Sequence, residues 1–223
     1  MMLKCARAGD FDSIHWVEAP QMDDSGINVD VHYAGINLAY VKEEAGFINS
    51  FNTDGQRILI LDFSGITKRG NRVMGIVPDQ VISTQVKAQL ELLWPVPDHW
   101  SLEDAATVPL AYCIAFYCLA IKIRLLPGRR ALIHGGAGAL GQALISIALA
   151  FHYEVFVTVS SIHKKQFLLK LFPQLQDDHI GNSCDHSFGD MVLNATGGEG
   201  CDVIVSCVQG ELKNTTLKCC AQA

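Results

Sequence analysis

The fold turns on Arg130-Ala131-Leu132-Ile133-His134-Gly135-Gly136-Ala137-Gly138-Ala139-Leu140-Gly141-Gln142 and the apolar run Ala143 to Phe151 that follows. A short β-type run enters a Gly-x-Gly-x-x-Gly turn at Gly136, Gly138 and Gly141, then leaves as a helix. Each glycine has a mechanical reading. Gly136 turns the chain tightly, Gly138 bares the backbone to a pyrophosphate, and Gly141 lets the helix pack close to the strand. With Ala137, Ala139 and Leu140 between them, they aim the free N–H groups of a helix N-terminus at an anion. Glycine-rich turns are common, so the assignment to dinucleotide binding rests on context: a strand before, a helix after and a second strand beyond.

That second strand, Glu154 to Val159, is followed by Ser160-Ser161-Ile162-His163-Lys164-Lys165. A site for NADH places Asp or Glu there, about 20 residues past the fingerprint, to hold the ribose 2′-hydroxyl. Here stand two hydroxyls and two lysines. No carboxylate repels a 2′-phosphate, and Ser160, Ser161 and Lys164 are within reach of one, so the segment favours NADPH. The competing reading is that Lys164 and Lys165 only solvate the start of a helix from Gln166 to Phe172.

The 223 residues are 49% hydrophobic and 18% charged, the balance of an ordinary globular protein able to bury a large core. A net charge of −6 argues against nucleic acid or an anionic membrane as the main partner. The longest apolar run, Ala143 to Phe151, falls short of the ~18 residues a spanning helix needs. No apolar signal-peptide core opens the chain, so a cytoplasmic location with reduced thiols is expected. The eight cysteines form no C-x-x-C pair and the histidines are scattered, so no metal site is expected. Cys118, Cys201 and Cys207 sit in apolar runs and read as small core residues.

Before the fingerprint the chain is β-rich. Ile27 to Tyr33 alternates as a half-buried strand does. Ile58 to Phe63 reads as a strand closed by Ser64-Gly65, Arg72 to Val77 as its partner after a turn, and Val86 to Trp94 as another, ended by Pro95 and Pro97. Ser101-Leu102-Glu103-Asp104 reads as a helix N-cap with acids in the first turn, and Pro109 to Arg124 has helical spacing. From Arg129 onward the order is strand, helix, strand, helix, with a later strand at Cys201 to Val208. A β-rich substrate domain at 1–125 and an α/β nucleotide domain at 126–223 are therefore expected, with the boundary near Arg124 to Gly128.

Several segments resemble the enoyl reductase domain of animal-type fatty acid synthase, in the medium-chain dehydrogenase/reductase superfamily, and that superfamily's zinc-free quinone oxidoreductases. They are Val31-His32-Tyr33-Ala34-Gly35-Ile36-Asn37, Asp62-Phe63-Ser64-Gly65, Arg72 to Pro78, Trp94 to Pro109, the glycine fingerprint, and Phe172 to Phe188. The resemblance implies a GroES-like substrate domain followed by a Rossmann doubly wound parallel sheet, with NADPH and no metal. It implies reduction of the trans-2 double bond of an enoyl thioester carried on an acyl carrier or CoA. Hydride goes to the β-carbon and a proton to the α-carbon. By the same resemblance Gly136, Gly138 and Gly141 hold the pyrophosphate, and Lys164 with Ser161 faces the 2′-phosphate. Thr107-Val108-Pro109 lies against the cofactor, and Asn37 belongs to the active-site loop.

The chain departs from that pattern where chemistry is expected. After Asn37 the synthase motif is Phe-Arg-Asp, whereas here it is Leu38-Ala39-Tyr40, leaving Tyr40 as either a proton donor or a packed ring. Ile114-Ala115-Phe116 replaces a Thr-Ala-Tyr, and Ser206-Cys207 replaces Asn-Ser. The resemblance also implies further Rossmann strands after Ala223 and a start before Met1, so the chain reads as truncated at both ends. The rest of a synthase polypeptide or a homodimer partner is then expected to cover the open sheet edge. Three readings stay open: an NADPH-dependent enoyl reductase domain, a non-catalytic relic that keeps the nucleotide site, and a stand-alone quinone or enone reductase.

Overall fold

The computed structural model describes residues 1–7, 10–19, 26–37, 60–78, 81–123, 126–206 and 208–221. The chain divides into two compact units, Met1–Leu110 and Ala111–Ala223.

In the first unit, β1 (Met2–Cys5) and β2 (Ile14–Val17) form an antiparallel ribbon. They are followed by β3 (Ile27–Ala34), β4 (Ile60–Thr67), β5 (Arg72–Pro78), β6 (Gln85–Ala88) and β7 (Leu93–Pro95). These five make an antiparallel sheet in the order β6-β3-β4-β5-β7. Its core is Val29, Leu61, Phe63, Val73, Val86 and Ala88, the alternate positions that a half-buried strand sends to one face. β4 is central and runs through Ser64 and Gly65 rather than stopping there. A Cβ on Gly65 would meet the Val29 side chain at 3.0 Å and crowd the Asp30 carbonyl, so this glycine admits the neighbouring backbone inside the sheet and does not end the strand. The expected strand from Val86 to Trp94 is two strands, because a single 3₁₀ turn at Leu90–Leu92 breaks it.

A short helix, α1 (Leu102–Ala106), packs on β3, β4 and β5. Ser101 and Asp104 cap it reciprocally: the Asp104 amide donates to Ser101 Oγ at 2.9 Å, and the Asp104 carboxylate accepts from the Ser101 amide. α2 (Pro109–Phe116) follows and widens into π-type turns at Tyr117–Lys122, which keep Leu119 fully buried.

The second unit is an α/β layer: β8 (Arg130–His134), α3 (Ala139–Ala150), β9 (Glu154–Val159), α4 (Ile162–Leu171), β10 (Ile180–Asn182), α5 (Ser187–Ala195), β11 (Val203–Val205) and α6 (Glu211–Lys218). Its strands are parallel, in the order β10-β9-β8-β11. In chain order this is third, second, first, fourth, so the direction of winding reverses between β8 and β11. In open α/β sheets, ligands bind outside the carboxyl ends of the strands at that reversal. Strands buried on both faces should be continuously apolar, and Ala131, Leu132, Ile133, Val155, Phe156 and Val157 are all 3% exposed or less.

The amino ends of the strands are tied by charge. The Asp202 carboxylate accepts from the Arg130 amide at 2.8 Å and from the Arg129 guanidinium at 2.5 Å, and Arg130 pairs with Glu199 and Glu154. No helix of the described residues is long and apolar enough to cross a membrane.

Candidate functional site

The carboxyl end of β8 leads straight into the glycine turn. The left-handed residue is Gly135, with φ 69°, and not Gly136, the position expected to make the tight turn. Gly136 is required for a different reason. Its Cβ would collide with Val157 on β9 and lie 3.2 Å from Ile145 on α3 and Leu168 on α4, because the turn crosses directly over the sheet. Gly141 is held by the turn itself, since its Cβ would sit 2.6 Å from the Gly136 Cα. Gly138 differs from both. A Cβ there would meet nothing nearer than the Gly135 carbonyl at 3.4 Å, an ordinary contact. The fold therefore needs Gly136 and Gly141, whereas a bare backbone at Gly138 serves only what approaches from outside.

Gly138 is also the N-cap of α3 and supplies no capping side chain. The first intrahelical bond runs from Gln142 N–H to the Gly138 carbonyl at 2.9 Å. The amides of Ala139, Leu140 and Gly141 accordingly have no acceptor among the described residues, while Gln142 Nε2 donates to the Ala137 carbonyl at 2.9 Å and braces the turn. Unpaired amides with an aligned helix dipole make an anion site.

Beneath the turn lies His134, one of the histidines scattered along the sequence. His134 Nδ1 is 2.9 Å from Thr158 Oγ1, its Nε2 is 3.2 Å from Thr216 Oγ1, and its ring stands edge-on to Phe188 at 5.0 Å. Burial pushes its pKa below the usual histidine value, so the ring is neutral and links β8, β9 and α6 without bringing charge to the anion site. The available signal was its position as the last residue of the strand entering the glycines.

At the carboxyl end of β9, Ser161 caps α4, whose first turn already contains Lys164 and Lys165. The helix thus starts four residues earlier than the expected Gln166. The two lysines part company there. Lys165 pairs with Asp177 at 3.0 Å, whereas Lys164 Nζ donates to Ser160 Oγ at 2.9 Å and faces no carboxylate among the described residues. Ser160, Ser161, Lys165, Gly181 and Asn182 line a cleft of about 310 Å³ beside it.

Asn37, Thr107, Val108 and Pro109 belong to the first unit. Asn37 ends the described segment after β3, and Tyr40 lies outside the described residues. Thr107 closes α1, its hydroxyl donating to the Asp104 carbonyl at 2.7 Å, Val108 is half-buried, and Pro109 opens α2. Ser160, Ser161, Lys164 and the residues from Gly136 to Gly141 share one end of the parallel sheet in the second unit.

The structure compares closely with a solved enoyl reductase, that of CurK: the TM-score is 0.87 with 26% identity, covering 99% of this chain and 70% of that one. The quinone oxidoreductase of Escherichia coli, solved with NADPH, superposes with a TM-score of 0.80 at 20% identity over 99% of this chain and 70% of that one. This is the medium-chain reductase fold of enoyl reductases and quinone oxidoreductases. Among curated sequences, the highly reducing polyketide synthase cla2 of Cladosporium cladosporioides is 31% identical over 98% of this chain and 10% of its own length. The chain thus spans about a tenth of the length of the curated relatives it matches. No protein-family model matches it. Both parts of the expected architecture, the GroES-like sheet and the Rossmann layer, are those of this enoyl reductase fold.

Proposed function

We propose that the chain is an enoyl reductase module that reduces the trans-2 double bond of an enoyl thioester with NADPH, within a larger multidomain synthase. The observation that carries this reading is the 26% identity to an enoyl reductase along 99% of the chain. The curated relatives support a polyketide-type assembly line; the fatty-acid-synthase resemblance stands beside it as the finer alternative. The substrate is then an acyl chain held as a thioester on a carrier domain or on CoA.

The residues fit the cofactor. The Ala139, Leu140 and Gly141 amides and the bare Gly138 suit a pyrophosphate, and the Ser160–Lys164 pair with Ser161 suits a 2′-phosphate, since no carboxylate stands among them. Bound there, the dinucleotide supplies a hydride. The chain's own part is to hold the two phosphate groups, with His134 bracing β8 and β9 under the glycine turn through the Thr158 and Thr216 hydroxyls.

Titration of the chain with NADPH and NADH, followed by turnover with a crotonyl thioester, tests the reading. NADPH-selective binding with thioester reduction supports it. Binding without turnover would instead favour a non-catalytic relic, which the loss of polar groups at Ile114-Ala115-Phe116 motivates. A quinone reduced in preference to the thioester would favour the quinone reductase reading, which the Escherichia coli neighbour motivates.

A further inference from the structure

In the first unit, Asp62 on β4 is buried, 7% exposed, in a strand otherwise built of apolar and small residues. Alternation on β4 sends Leu61 and Phe63 into the core of the sheet and Asp62 and Ser64 to the opposite face. That face carries α1, because the Ser64 hydroxyl donates to the Leu102 carbonyl. The Asp62 carboxyl rests on the Cα of Gly35. A Cβ at position 35 would lie 2.7 Å from Oδ2 and closer still to Oδ1, and the Gly35 amide donates to the Asp62 carbonyl at 2.9 Å. Gly35, which opens Gly35-Ile36-Asn37, is therefore bonded to the Asp62 backbone and packed directly under its carboxyl. The same face carries Tyr33 and Asp30 on β3, and Arg72 on β5, by the cross-strand register. Glu103 and Asp104 stand on α1. None of these five bonds or pairs with the carboxyl. Asp30 is taken by Gln85, Arg72 by the Trp100 and Asp98 carbonyls, and Asp104 by Ser101.

We propose that Asp62 is a positioning residue of the acceptor site, its buried carboxyl packed on Gly35 and holding Gly35–Asn37 in place for the thioester. The assignment rests on the enoyl reductase reading for the word acceptor, and on geometry alone for the clamp. Burial raises the Asp62 pKa above the usual carboxylate value. A group whose folded pKa is raised lends stability that is complete below its unfolded pKa and is lost as pH rises through the folded one. Ionisation thus puts a desolvated anion, held by its own backbone amide alone among the described residues, against Gly35 and loosens the turn.

Hydrogen exchange across 35–37, corrected for intrinsic rates and read in the full chain, tests the clamp. Exchange in the wild type should accelerate as pH rises through the Asp62 titration, and Asp62→Asn should remove that dependence. Gly35→Ala should accelerate exchange at every pH, and Asp62→Ala added to it should relieve the clash yet bring exchange no lower than that of Asp62→Ala alone. With a crotonyl thioester, Asp62→Ala should lower kcat/KM by about tenfold or more, Asp62→Asn should flatten the alkaline limb of its pH profile, and NADPH affinity should stay within about twofold. The same pH dependence of exchange in wild type and Asp62→Asn overturns the clamp. A wild type that turns over while Asp62→Asn keeps an unaltered alkaline limb overturns the positioning role. A wild type that reduces no enoyl thioester overturns the functional reading, and the exchange result still decides the clamp by itself.

Discussion

Thr158 stands opposite His134 in the parallel register of β9 and β8, and its hydroxyl lies 2.9 Å from the imidazole Nδ1. The Thr158 carbonyl meanwhile accepts from the Gly136 amide at 3.0 Å, so one residue anchors both the histidine and the phosphate turn. The ring meets two hydroxyls and the Phe188 ring, none of which carries a negative charge to offset its burial. Its lowered pKa has a defined consequence. A depressed folded pKa gives stability that is complete above the unfolded value, about 6.5, and is lost as pH falls through the folded value. The urea midpoint of the second unit should therefore fall as pH drops below about 6.5. His134→Gln should blunt that dependence and cost about 1–3 kcal/mol at neutral pH, because it disturbs the hydroxyls of buried Thr158 and Thr216.

The three glycines of the turn separate by experiment. Gly136→Ala and Gly141→Ala force a methyl into Val157 or into the turn backbone, and each should cost about 1–3 kcal/mol by overpacking. Val157→Ala should relieve the first and not the second, since only Gly136 faces that side chain. Gly138→Ala should change the urea midpoint by less than about 0.5 kcal/mol-equivalent while weakening NADPH binding about tenfold or more. If instead Gly138→Ala unfolds the chain and leaves affinity intact, the division between fold glycines and ligand glycines is wrong.

The legibility of the molecule tracks the range of its interactions. The helix cap at Ser101–Asp104 and the strand–turn–helix around Gly136 are local, and sequence spacing alone carries them. The break of a strand at Leu90–Leu92 was hidden by a run of apolar residues that suits a strand and a tight turn alike. Gly65 reads as a strand end in sequence, yet it serves a close backbone approach to Asp30, 35 positions away. Lys164 and Lys165 are equivalent on paper. Only the placement of Asp177 after α4 engages one and leaves the other to Ser160. Asp62 carried a signal, a single carboxylate in an apolar strand, but its meaning depends on Gly35, which reaches it only through the β3–β4 pairing.

The end of α3 holds a removable strain. His152 sits at φ 58°, closing the helix as its amide and that of Tyr153 return to the Leu149 and Ala148 carbonyls at 3.0 and 2.9 Å. A non-glycine residue pays about 1–2 kcal/mol for that left-handed geometry. Glycine removes the strain but adds freedom to the unfolded chain. His152→Gly should therefore stabilise by a net ~0.5–1 kcal/mol, read as a higher urea midpoint with unchanged NADPH affinity.

The cysteines should divide by burial. Cys201 and Cys219 are at most 1% exposed, and burial pushes the Cys201 thiol up to about 12. Thiolate is the reactive form, so neither should be alkylated by iodoacetamide in the folded chain, whereas exposed Cys184 and Cys220 should be. Peptide mapping before and after denaturation reads the difference. Early labelling of Cys201 would mean that the bridge of Cys201 to Cys219 and Ala221 opens more readily than its hydrogen bonds imply.

The sharpest separation is between adjacent lysines. Lys164 offers its ammonium beside the Ser160 hydroxyl, and Lys165 spends its own on Asp177. A 2′-phosphate distinguishes NADPH from NADH, and a cation with hydroxyl donors is what recognises it. Lys164→Ala should weaken NADPH binding about tenfold, or ~1.4 kcal/mol, and leave NADH binding unchanged. Lys165→Ala should leave both affinities within about twofold and cost less than ~1 kcal/mol of stability, as exposed ion pairs do. Ser160→Asp is the converse: a carboxylate at the end of β9 repels the phosphate and offers the ribose hydroxyl an acceptor, so the preference should invert toward NADH. If Lys164→Ala weakens both dinucleotides equally, the lysine serves the pyrophosphate or the fold, and the NADPH preference must come from elsewhere in the chain.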